Sequence, residues 1–272
     1  MNEVGKPAEE RHQIVKWFFS YGDFSKKMGT KDHKVTGGWK AIPSGDVQAL
    51  LTLAHDIYSL QHTNFLPRFL VERIRDPLAF QGARYEIIVS AIFARAGFQI
   101  EFLTEKRKKH PEFIADHSQS GDRIAVEAKS RHRKGVLNHP GKLDPNKVFR
   151  GDVDRLFKKA LEQNPGDIPF MIFIDINVPP TPNINFPDKQ WFRDLKNMFY
   201  KYGKPTPENP DPFSAIFVTN YAYYYGGSET QAPSGETLSI ISKYTKYSLA
   251  NPLILNDIYN AVRNYGKVPL GP

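Results

Sequence analysis

The sequence predicts an α/β protein, with a mixed sheet flanked by helices and a helical N-terminal extension in front of it. Two apolar runs carry this reading. "PFMIFIDINV" (169–178) and "SAIFVTN" (214–220) are near-continuous and short, as strands buried on both faces are. Around them, apolar residues recur at the helical period, and shorter alternating stretches bounded by glycine or polar residues read as further strands. The chain has 272 residues, 40% hydrophobic and 24% charged, enough for one large domain or a domain with an extension.

Taken in order, residues 1–76 form the extension. "EERHQIVKWFFSYG" puts Ile14, Val15, Phe18 and Phe19 at helical spacing, with Gly22 as the expected stop. A polar, glycine-rich loop follows through "KMGTKDHKVTGGWKAIPSGD". Residues 46–74 predict one or two helices, interrupted near Pro67. The main domain, 77–272, begins with a helix that is apolar almost all round over 83–96, so it should be buried on most sides, and Gly97 should end it. "FQIEFL" then alternates as a strand. "EFIAD" and "RIAVEAK" are two more, joined by "HSQSG", a loop of hairpin length. A helix at about 147–163, the first buried run, a helix near 188–202 and the second buried run come next. A tyrosine-rich loop and an amphipathic helix at about 253–265 close the chain.

Composition excludes several classes of function. With no cysteine there is no disulfide scaffold, cysteine nucleophile or Cys-type zinc site. The N-terminal segment is too charged for a signal peptide, and no apolar run approaches the roughly 18 residues of a membrane span. A soluble, cytoplasmic protein that does not engage a membrane is the expectation. The net charge of +8 suits a polyanionic partner.

The chemistry concentrates around "RIAVEAKSR" (123–131). Glu127 and Lys129 are two apart on a strand and therefore share a face. If the second and third strands form a hairpin, Glu112, just after Pro111, comes within reach of Glu127. Two acids so close repel, and a divalent cation is the usual remedy. Mg²⁺ (or Mn²⁺) fits best, since it takes carboxylate and water oxygens and leaves positions for phosphate. Glu86 stands in the apolar helix, where an unpaired buried carboxylate would cost several kcal/mol.

The Pro-Glu pair followed after a hairpin by Glu127-Ala128-Lys129 resembles the signature of the PD-(D/E)xK phosphodiesterase superfamily, the restriction-endonuclease-like and Holliday-junction-resolvase-like nucleases. The resemblance implies an α-β-β-β-α-β core, which residues 77–220 match in order. It implies a metal-dependent nuclease with Glu112, Glu127 and Lys129 as catalytic residues, Glu86 joining them from the first helix, and Glu112, Glu127 and Glu86 as metal ligands. The partner is nucleic acid, DNA being the expected form, and the setting restriction, phage defence or repair. A homodimer is common where both strands are cut. The family more often has aspartate where Glu112 stands, and Asp116 and Asp122 rank behind it as substitutes.

Basic segments flank the proposed site: "EKRKKH" (105–110) and "KSRHRK" (129–134). Arg107, Lys108, Lys109, Arg131 and Arg133 are the candidate phosphate contacts, with Arg150 and Lys158 behind them. "GVLNHPGK" (135–142) imitates a phosphate loop, but Leu143 stands where serine or threonine is needed. His110, His117, His132 and His139 show no zinc-ligand spacing. "NYAYYYGG" (220–227) suits either base stacking or packing. The competing class is a nucleic-acid-binding or assembly module that keeps the fold without turnover.

Overall fold

The computed structural model describes residues 3–29, 34–35, 38–103 and 109–267. Its centre is a six-stranded mixed sheet made of β3 (Gln99–Phe102), β4 (Phe113–His117), β5 (Asp122–Ser130), β6 (Phe170–Asp175), β7 (Ala215–Asn220) and β8 (Glu236–Ile241), in that spatial order. The first three strands form an antiparallel meander, β5, β6 and β7 run parallel, and β8 returns antiparallel. The parallel pairs need crossovers. These are α5 (Val153–Leu161) between β5 and β6, and α6 (Gln190–Tyr202) between β6 and β7. Strand β8, in the half-buried "ETLSII", lies outside the expected elements: none of its residues is fully buried, so no apolar run marks it.

Before the sheet come α1 (Gln13–Met28), an antiparallel pair of two-residue strands, β1 (Lys34–Val35) and β2 (Gly38–Trp39), then α2 (Gly45–His62), α3 (Arg68–Arg75) and α4 (Phe80–Arg95). Helix α1 does not stop at Gly22. It runs on to Gly29, whose N–H closes on Ser25 O. One glycine inside a helix costs only about 1 kcal/mol, and the burial of Trp17 on the same helix offsets it. Pro67 separates α2 from α3, as expected. The β1–β2 pair falls in the stretch expected to be loop.

Every residue of α4 from Phe80 to Phe93 is buried. The helix ends as expected at Gly97, whose φ of +88° is one that glycine adopts without strain. Helix α5 begins later than the sequence suggests, because a 3-10 turn (Pro145–Lys147) and Asp152, at a φ of +51°, interrupt the path. Helix α7 (Ile254–Arg263) closes the chain.

Two apolar clusters sit on the two faces of the sheet. One joins α4 and α7 to Ile124, Val126 and Ala128 of β5 and to Phe173 and Phe217. Trp17, Leu53, Leu60, Leu70 and Ile74 belong to this same cluster, so the N-terminal helices share the core of the α/β part. The other cluster packs α5 and α6 on Ala125, Ile172, Ile174, Ile216 and Val218. Among the described residues, no helix is long and apolar enough to cross a membrane.

Candidate active site

The β4–β5 ladder runs from His117↔Asp122 to Phe113↔Val126 and ends there. Strand β5 continues paired only with β6, with Glu127 opposite Ile172 and Lys129 opposite Ile174. On the other side the carbonyl of Glu112 accepts from Leu103 N at 3.2 Å, so that backbone stays with β3. The hairpin therefore opens at Glu112 and Glu127. Strand alternation sends Ile124, Val126 and Ala128 into one core and leaves Glu127 and Lys129 on the opposite side.

Lys129 fills this opening. Its Nζ is ion-paired with Glu127 Oε1 and lies 3.5 Å from Glu112 Oε1. Glu127 is fully buried, and its Oε2 has no hydrogen-bond partner. Burial pushes the Glu127 carboxyl up to about 8, with Glu112 and Glu86 adding repulsion while Lys129 opposes the rise. For Lys129, burial works against the charged form, but Glu127 and Glu112 outweigh it and hold the ammonium above its ordinary value.

Glu86 reaches the same cleft from α4, buried as expected. Burial and the neighbouring charge of Glu112 raise its pKa to about 7, against the pull of Arg73 and Lys129. The four residues singled out by the sequence are thus within one another's electrostatic reach. Glu86 makes no hydrogen bond to the other three, however. Its direct partner is Arg73 of α3, through two bonds of 2.5 and 2.6 Å. Arg73 is not among the residues that the sequence singles out. The signal was there in part, since a carboxylate buried in an apolar helix requires a cation, and the preceding helix carries three arginines. Arg84, adjacent in sequence, pairs instead with Asp175 at 3.3 Å and lies over the Tyr224 ring.

The ranked substitutes are engaged elsewhere. Asp116 pairs with Arg123 across the hairpin at 3.1 Å, and Asp122 accepts from the backbone N–H of Ala250 and Asn251. Tyr223 and Tyr224 are buried, so that part of the tyrosine-rich loop packs. In the phosphate-loop look-alike, Asn138 bonds to Lys16 and to the carbonyl of Arg11, which docks the loop on the N-terminal segment.

The basic flanks need correction. Arg131 and Arg133 are buried and do not face solvent. Arg131 donates to Asp152 (2.8 Å) and to the carbonyls of Lys147 and Arg150, and Arg133 to those of Val148 and Arg150. The reason is local: residues 147–152 form an irregular path whose carbonyls lack ladder partners, and the two guanidiniums satisfy them. Lys109 is exposed and paired with Glu162 at 2.7 Å. Arg107 and Lys108 lie outside the described residues.

A second buried polar network, which no motif in the sequence marks, sits at the C-terminal ends of β5 and β6. Asp175 accepts from Ser130 and Arg84, and Asn177 bonds to Gln81 and to the carbonyl of Arg131. Gln81 in turn holds Arg133 N and the carbonyl of Val136.

Among the described residues, no three of histidine, aspartate and glutamate are arranged to hold a metal ion. Arg73 holds Glu86, which leaves Glu112 and Glu127. Two carboxylates, one with a buried oxygen lacking any partner, fit a hard cation that keeps several waters and takes its remaining ligands from a phosphate. Protein-family models, curated proteins and solved structures give no match to this chain.

Proposed function

We propose that this chain is a metal-dependent phosphodiesterase acting on nucleic acid, DNA being the expected form, on a restriction-endonuclease-like core. The observation that carries the reading is Lys129 set between Glu112 and Glu127 at the mouth of an opened hairpin. The order α4, β3, β4, β5, α5, β6 agrees with the α-β-β-β-α-β core that the PD-(D/E)xK resemblance implies. Glu112 and Glu127 would hold Mg²⁺ or Mn²⁺, which when bound makes a hydroxide available at neutral pH and offsets phosphate charge. Lys129 would turn from Glu127 to the non-bridging phosphate oxygen on which negative charge grows, an interaction stronger in the transition state than before it. Glu86, fixed by Arg73, acts on the cleft through its charge.

A binding or assembly module without turnover is the second reading. It is favoured by the ammonium that already bridges the two acids, and by the absence of a three-ligand group among the described residues. The test incubates purified protein with duplex, junction and single-stranded DNA and RNA, with and without Mg²⁺ or Mn²⁺. Cleavage that requires the cation and is lost in Glu127→Ala and in Lys129→Ala is the expected result. Full activity in either variant overturns the assignment, and binding without cleavage in every cation selects the second reading.

A further inference from the structure

Glu86 differs from its two neighbours in having both carboxylate oxygens taken. Arg73 approaches from α3 with Nη1 2.5 Å from Oε2 and Nη2 2.6 Å from Oε1. Such a two-pronged pairing fixes the plane of a carboxylate as well as its charge. The Glu86 side chain is 7% exposed and that of Arg73 39%, so the guanidinium covers the carboxylate on its open side. Lys129, by contrast, contacts one oxygen each of Glu112 and Glu127 and leaves Glu127 Oε2 free.

We infer that Arg73 stands where a second metal ion would otherwise bind, so that the cleft takes one divalent cation and not two. The inference rests on the phosphodiesterase reading and deepens it. Two-ion sites hold their cations roughly 3.5–4 Å apart and need carboxylates enough for both. Here the third carboxylate is withheld, and among the described residues no other acid or histidine completes a set.

Charge balance points the same way. Three carboxylates against Lys129 and Arg73 leave one net negative charge when all are ionised. One divalent ion and one phosphodiester bring the cleft to neutrality, whereas a second ion would leave two positive charges uncompensated in a largely buried place. Arginine keeps its proton at every workable pH, so this internal cation, unlike a metal, cannot be removed by a chelator.

The test counts ions. Mn²⁺ is titrated into the full chain and the unbound ion followed by electron paramagnetic resonance, a readout independent of turnover. The parent should bind one Mn²⁺ per chain and Arg73→Gln two. The double variant Arg73→Gln/Glu86→Gln should return to one, because the freed carboxylate is gone again. Circular dichroism checks each fold, and Arg73→Met, of similar length, supplies the same readout if the glutamine variant fails to fold. A parent that binds two ions, or Arg73 variants that stay at one, would overturn the inference. A parent that binds none removes the phosphodiesterase reading itself, and the inference with it.

Discussion

At the scale of the residue, Glu127 is fully buried with one carboxylate oxygen lacking a hydrogen-bond partner. Its carboxyl, pushed up to about 8, ordinarily titrates near 4.5. A carboxyl with a raised folded-state pKa favours folding while it is protonated. That contribution is complete below about 4.5 and fades as pH climbs through about 8. Thermal denaturation between pH 5 and pH 9 should therefore show the parent losing stability across this window. Glu127→Gln should show a flatter profile and a gain over the parent at the alkaline end. Equal slopes for the two proteins would mean that Glu127 is ionised throughout. The same burial predicts proton release when Mn²⁺ binds near pH 7, because a ligating carboxylate must give up its proton. Calorimetry in two buffers of different ionisation enthalpy measures that release directly.

At the scale of the element, β5 shows what a sequence can and cannot disclose. Its alternation was legible because Ile124, Val126 and Ala128 enter one core while the acid and the lysine share the other side. Glu112 was legible because hairpin pairing follows from loop length. Arg73 was not, since its contact with Glu86 depends on how two helices cross, which neither helix encodes alone. Arg131 and Arg133 misled for a related reason: a run of basic residues after a strand looks the same whether it meets water or bare carbonyls. Exchange at these positions separates the two cases. Arg131→Ala should destabilise by about 1–3 kcal/mol, because it removes the nearest partner of Asp152 and one buried donor from each of two carbonyls. It should leave the salt dependence of nucleic-acid binding unchanged. Lys109→Ala, exposed, should leave stability unchanged and flatten that dependence. Urea denaturation and binding measured across salt concentrations check both, and a reduced salt slope for Arg131→Ala would restore it to the interface.

At the scale of the whole molecule, the N-terminal helices and the α/β part stand or fall together. Trp17 is fully buried, with its ring centroid 5.8 Å from that of Phe80 on α4 and 6.2 Å from that of Tyr224. Trp17→Ala should cost about 3–5 kcal/mol and lower the midpoint of one shared unfolding transition. An early transition confined to the N-terminal helices would show instead that they fold by themselves. Lys129 has a consequence at this scale too. Three acids converging on one cleft would ordinarily resist being brought together, and some small metalloproteins are unfolded until their ion arrives. Here Lys129 and Arg73 supply the countercharge from within the chain. The polypeptide can therefore fold with no ion present, its three acids already countered from within. On the phosphodiesterase reading we propose, ion supply then governs when such a protein works, and has no say in whether it folds.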